Sequence, residues 1–161
     1  MIHVRHYRAD DRAFVLSLAP RLCVGMPSWR DRQLWLAAFE RWIAASIEQH
    51  GQAAIVFVAE DDQGERLGFA TLSHTAHFTG ERQAYINELA SSEAAEGRGV
   101  GTALIAACEQ WAREQGDRVL ALSTGAANER ALGLYHHLGF RDEDVKLVKL
   151  LDEREDAPPH R

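Results

Sequence analysis

The sequence predicts an α/β fold, a central sheet with helices on its faces. Three observations carry that reading. Short β-like runs and amphipathic helical stripes alternate along nearly the whole chain. Alternating glycines, Gly97, Gly99 and Gly101, stand where a strand should turn into a helix. The 161 residues are 46% hydrophobic and 26% charged, the composition and size of one globular domain with a self-sufficient core.

Taken in order, residues 2–7 form a short strand. Asp10 and Asp11 are good N-caps for a helix carrying Phe14, Val15 and Leu18, which Pro20 should stop near Ala19. Ser28-Trp29-Arg30-Asp31 fits a capping box. Behind it Leu36, Phe39, Ile43 and Ile47 recur at helical steps, and the helix should end near His50-Gly51. Trp35 and Trp42 share a neighbouring face and read as core packing.

Strands over 53–60 and 66–74 follow, joined by the hairpin signal Asp61-Asp62-Gln63-Gly64. A third strand covers 84–91. Val100, Leu104, Ala107, Cys108 and Trp111 mark one apolar face of a helix that Gly116 terminates. Residues 119–123 read as a buried strand. Asn128 opens a helix through Leu134, Tyr135 and Leu138 that Gly139 closes, and 144–151 form a last strand. The single domain spans 1–151; residues 152–161, polar and proline-bearing, are expected to be a disordered tail.

A net charge of −6 gives no long-range attraction for phosphate backbones, so nucleic acid is not an expected partner. That charge weakly favours cationic ligands such as amines. Cys23 and Cys108 are far apart and match no CxxC pattern, which fits a reducing cytoplasm. There is no apolar signal region at the start and no apolar run of membrane-spanning length. The expectation is a soluble, cytoplasmic domain without a membrane partner.

The chemistry concentrates at Glu96-Gly97-Arg98-Gly99-Val100-Gly101-Thr102. Without side chains the backbone can turn tightly and aim several N–H groups at an anion on the helix's positive end. A tight turn with nothing bound is the plainer alternative. Two familiar anion loops fail on spacing. GxGxxG would need a glycine at Thr102 or Leu104, and GxxxxGK[ST] would need a lysine.

The stretch resembles the acyl-CoA loop of the GNAT superfamily of N-acetyltransferases, written Q/R-x-x-G-x-G/A, at Gly99-Val100-Gly101. Ala84-Tyr85-Ile86-Asn87-Glu88-Leu89-Ala90 resembles the family's fourth strand. Asn128-Glu129-Arg130-Ala131 with Leu134-Tyr135-His136-His137-Leu138-Gly139-Phe140 resembles its N-x-x-A…LY-x-x-LGF signature. The order of elements fits from about Val4 to Leu150. One position departs: Glu96 stands where the family has Gln or Arg, and a carboxylate there would repel phosphate. Backbone amides should supply most of the grip, with Arg98 adding positive charge.

The resemblance implies a mixed, mostly antiparallel sheet flanked by helices on both faces. It also implies an enzyme that moves an acetyl group from acetyl-CoA to the primary amine of a small, cationic molecule. An aminoglycoside or polyamine would suit the charge, and protein N-termini or lysines are alternatives. A protonated amine must lose a proton before it attacks a thioester. Glu88 is the candidate base, against the plainer reading of an ion-paired glutamate; Glu60 borders a turn and is the weaker choice. Tyr135 would protonate the leaving thiolate, unless it is a buried structural tyrosine.

On the same resemblance, a backbone N–H of Leu89 or Ala90 meets the oxyanion. Strand residues Leu89, Ala90 and Ser91 pair with the pantetheine arm, and Gly97, Arg98, Gly99, Val100, Gly101 and Thr102 hold the phosphates. Asn128 contacts the arm or simply caps its helix. The acceptor site would lie around residues 26–35 and 74–82. Homodimers are common in the family, but the sequence shows no clear interface.

No metal is expected. His74 and His77 lack a third ligand, His3 and His6 fall on opposite faces of a strand, and His136-His137 have no acidic partner at useful spacing. No GxSxG elbow exists. The competing class is a binding module that kept the fold and lost the chemistry. Glu96 favours it; Glu88 and Tyr135 oppose it.

Overall fold

The computed structural model describes residues 1–151, so the expected tail lies outside the described residues. Five strands form one sheet in sequence order: β1 (Ile2–His6), β2 (Ala54–Asp61), β3 (Arg66–Ala76), β4 (Arg82–Ser91) and β5 (Leu120–Leu122). The first four pair antiparallel, and β5 runs parallel to β4. Four helices accompany them: α1 (Arg12–Ser17), α2 (Arg32–Glu48), α3 (Val100–Glu114) and α4 (Glu129–His137).

The helices take opposite faces. Val15 and Leu18 of the α1 region and Ile43 and Ile47 of α2 pack on Val56, Val58 and Phe69. On the other face Val100, Leu104, Ile105 and Cys108 of α3 meet Phe57, Ala70, Leu72 and Ile86, with Leu134 and Tyr135 of α4 at the margin. Each fully buried Leu, Ile or Val contributes about 1.5–3 kcal/mol. The alternation of β2 and β3 therefore feeds two cores. Both cysteines are buried and free, and burial pushes the Cys108 thiol up to about 12.

Several expectations are corrected. Residues 144–151 form no strand; Val145 and Leu147 are exposed, the latter at 89%. Their alternation needs a paired neighbour, and it finds none in the described fold. The strand expected over 119–123 shrinks to three half-buried residues. Asp31, not Ser28, caps α2, its Oδ1 accepting from Gln33 N at 2.8 Å and Leu34 N at 3.0 Å.

Asp11 does not cap α1 with its side chain. It is fully buried, accepting from Arg5 Nη1 at 2.7 Å, Arg66 Nε at 2.6 Å and Arg8 N at 2.7 Å. Those bonds hold its carboxyl well below the usual range despite burial. Trp42 is not core: it is 56% exposed, and Trp35 is only half-buried.

Candidate active site

The site begins with an irregularity in a strand. Along β4, Ile86 pairs with Leu72 but Glu88 pairs with Thr71, so Asn87 is an extra residue. Strict alternation would leave Ile86, Glu88 and Ala90 on one face. The bulge instead leaves Ile86 in the α3 core and turns Ala90 into the α2 core. Glu88 turns with it toward Thr71 and Ser46 of α2.

Glu88 is 3% exposed and lines a cavity of about 810 Å³. Its Oε2 accepts from Thr71 Oγ1, and its backbone N donates back to that hydroxyl at 3.1 Å. Burial raises its pKa above the ordinary glutamate value, and hydrogen bonds to Thr71 and Ser46 offset only part of that. A carboxyl so placed can exchange a proton nearer neutral pH than a surface glutamate.

The cavity exists because β5 is short. Its pairing with β4 stops at Ile86–Leu122, leaving residues 87–91 of β4 without a strand on that side. A second cavity of about 560 Å³ opens past Leu89, Ala90 and Ser91. The two share Arg21, Val24, Leu89, Asn128 and Tyr135, so they form one cleft. The tyrosine stands edge-on to Phe140 at 5.7 Å, and burial raises its phenol pKa.

At the far end the chain turns into α3. Gly97 and Gly99 have φ of 74° and 87°, a left-handed region costly for other residues, and Gly99 caps the helix. Gly97, Gly99, Val100, Gly101 and Thr102 all line this half of the cleft. Unpaired N–H groups of a helix start face an anion favourably.

Glu96 is not a bare carboxylate. Its carboxylate accepts from Arg130 Nη1 at 2.6 Å and from Arg21 Nη2. Arg130 first, then Arg21, holds the carboxyl below its ordinary value. Two guanidiniums around one carboxylate leave this end of the cleft net positive. Arg98 does not supply that charge: its side chain lies 3.7 Å from Asp61 and does not line the cleft. Arg21 and Arg130 were missed in the sequence. The first is 75 residues from Glu96, and the second sat unassigned inside the N-x-x-A motif.

Asn128 caps α4, Oδ1 accepting from Ala131 N at 3.3 Å, and also lines both cavities. The loop carrying Arg21 is held against it by a close approach. A Cβ on Gly25 would stand 2.6 Å from Asn128 Cβ, and Gly25 has φ of 78°. Only glycine fits there.

Of the expected acceptor regions, Met26 and Trp35 line the cleft, whereas nothing from 74–82 does. His74 instead stacks on Trp111 at 4.9 Å and bonds Asp117 at 2.7 Å. His136 does have an acidic partner, Asp142, at 2.7 Å. Glu60 is tied to Arg5 at 2.7 Å, away from the cleft. In place of 74–82, the wall consists of Trp35, Phe39, Trp42 and Ser46 of α2, with Gln49 just past its end.

Comparison with known proteins gives this geometry a family. The Acetyltransferase (GNAT) family matches residues 13–140. An L-methionine sulfoximine/L-methionine sulfone acetyltransferase of Pseudomonas paraeruginosa is 30% identical over 112 residues, covering 70% of this chain and 63% of the relative. The match thus spans less than two thirds of that relative's length. Among solved structures, AAC(6')-Iy with the bisubstrate analogue CoA-S-monomethyl-acetylneamine aligns with TM-score 0.67 at 22% identity, covering 93% of this chain and 98% of that one. A Clostridium acetobutylicum protein solved with acetyl-CoA aligns with TM-score 0.64 at 18% identity, covering 94% and 97%.

Proposed function

We propose that this chain, which belongs to the GNAT family of acetyltransferases, moves an acetyl group from acetyl-CoA to the primary amine of a small molecule. The observation that carries the proposal is the single cleft. An anion-suited loop with two arginines stands at one end, and a buried carboxyl stands at the other.

The donor fits the residues present. Backbone N–H groups of 97–102, with Arg21 and Arg130, suit its phosphates, and the free edge of β4 at Leu89, Ala90 and Ser91 suits an amide-bearing arm. When bound, the donor supplies an activated acetyl thioester. Glu88 removes the proton that the attacking amine must lose, directly or through water. A backbone N–H of Leu89 or Ala90 meets the oxyanion, and Tyr135 returns a proton to the departing sulfur. The raised tyrosine pKa keeps that proton available at neutral pH.

Glu96 was the feature favouring a binding-only module, and its neutralisation by Arg21 and Arg130 removes that argument. Among the described residues no helix is long and apolar enough to cross a membrane. A cytoplasmic location is part of the same proposal.

Calorimetric titration with acetyl-CoA, CoA, ATP and NADH tests the reading. Micromolar binding of acetyl-CoA in preference to ATP and NADH is the expected result. Absence of acetyl-CoA binding would sink the proposal.

A further inference from the structure

Helix α2 carries two apolar stripes where packing on a sheet needs one. Ile43 and Ile47 of the first are buried in the core, with Leu36 at its edge. The second runs Trp35, Phe39 and Trp42 and continues in the polar Ser46 and, just past the helix, Gln49, stepping three or four residues at a time along the wall of the larger cavity. Trp35 and Phe39 stand edge-to-face at 6.3 Å, and Phe39 and Trp42 at 5.5 Å with rings nearly perpendicular. This aromatic wall leads to Ser46, whose hydroxyl faces the Glu88 carboxyl and favours its charged form.

Charge is scarce along the same cavity. Among the described residues lining it, Arg21 and Glu88 are the only Arg, Lys, Asp or Glu side chains, and Arg21 is paired with Glu96. Among the described residues, Glu88 is thus the one carboxylate lining this cavity that can face an ammonium. The overall charge of −6 is not expressed in this cleft.

We infer that the acceptor is a primary monoamine with a flat, apolar body, an arylalkylamine. This deepens the acetyl-transfer reading and rests on it. One ammonium meets Glu88, while the body lies against Trp35, Phe39 and Trp42, whose faces attract both rings and cations. A polyamine or aminoglycoside would bring further ammonium groups into a cavity with no second carboxylate among the described residues to receive them. An amino acid would bring a carboxylate, and the one described cation lining this cavity, Arg21, is already assigned to Glu96 and the donor's phosphates. This acceptor differs from the aminoglycoside or polyamine expected from net charge, and the two readings are separated by the test below.

The test measures acceptor-dependent thiol release from acetyl-CoA with 2-phenylethylamine, spermidine, kanamycin and methionine sulfone, beside calorimetric acetyl-CoA binding. The kcat/KM for 2-phenylethylamine should exceed each of the others by about tenfold or more, the size of one lost ion pair or stacking contact. Trp42→Ala should raise KM for 2-phenylethylamine roughly tenfold with acetyl-CoA affinity unchanged, and Trp42→Phe should hold it within about threefold. Equal or better turnover of spermidine, kanamycin or methionine sulfone overturns the inference. So does no turnover of 2-phenylethylamine by protein that binds acetyl-CoA, or a Trp42→Ala KM that does not move. Failure to bind acetyl-CoA overturns the transfer reading itself, and this inference with it.

Discussion

Arg130 Nη1 donates to Glu96 Oε2 at 2.6 Å, joining the start of α4 to the turn before α3. A residue expected to repel phosphate thereby holds a guanidinium beside the loop that should bind it. Arg21 completes the arrangement from the other side, its Nε reaching Ser91 O at 3.3 Å.

Removing Arg130 tests that role. Arg130→Ala should weaken acetyl-CoA binding about tenfold by calorimetry, the weight of one charge-assisted contact to phosphate. Glu96→Ala should weaken it by less, because both arginines remain but lose their anchor. Added salt should narrow the gap between wild type and Arg130→Ala, since exposed charges are screened.

Glu88→Gln should lower kcat by about 10²–10⁴-fold and leave acetyl-CoA affinity intact, as expected for loss of a general base. The pH profile provides a second check. Burial raises the Glu88 pKa, so its base form is lost as pH falls through a value above that of an ordinary glutamate. The acid limb of kcat/KM should therefore lie above that ordinary value and vanish in Glu88→Gln.

Tyr135→Phe should lower kcat by about 10²-fold, the low end for loss of a general acid, with the acetyl-CoA dissociation constant little changed. Stopped-flow detection of free thiol would read the step directly. An unchanged kcat would make this tyrosine a packing residue against Phe140.

Asp11 lies outside the cleft and bears on stability. Asp11→Asn leaves Arg5 and Arg66 facing a neutral group and should cost about 3–5 kcal/mol in urea unfolding. Because the folded state lowers this pKa, its contribution is complete above about pH 4 and is lost as pH falls further. The stability difference between wild type and Asp11→Asn should accordingly shrink on acidification.

Much of the fold was legible locally. The hairpin at residues 61–64, the stripe of α3 with its terminating Gly116, and the Asn128 cap all follow from spacing and turn chemistry acting within a few residues. Three motifs in order were enough to point to the family and to Glu88 and Tyr135. The strand expected over 144–151 failed for the opposite reason. Alternating apolar residues describe a strand's faces but cannot supply the neighbour it must pair with.

What the sequence alone determined is the set of local elements and the glycine turn before α3, because these depend on short-range sterics and periodicity. The tertiary structure decided the site. The bulge at Asn87 turned Glu88 toward α2, and a β5 of only three residues opened the cleft beside it. The fold brought Arg21 across 75 residues to neutralise Glu96. It also left Trp35, Phe39 and Trp42 on a helix face with no sheet to cover them. Charge and aromaticity are written in the residue types, but their effect depends on which groups the chain brings within a few ångströms.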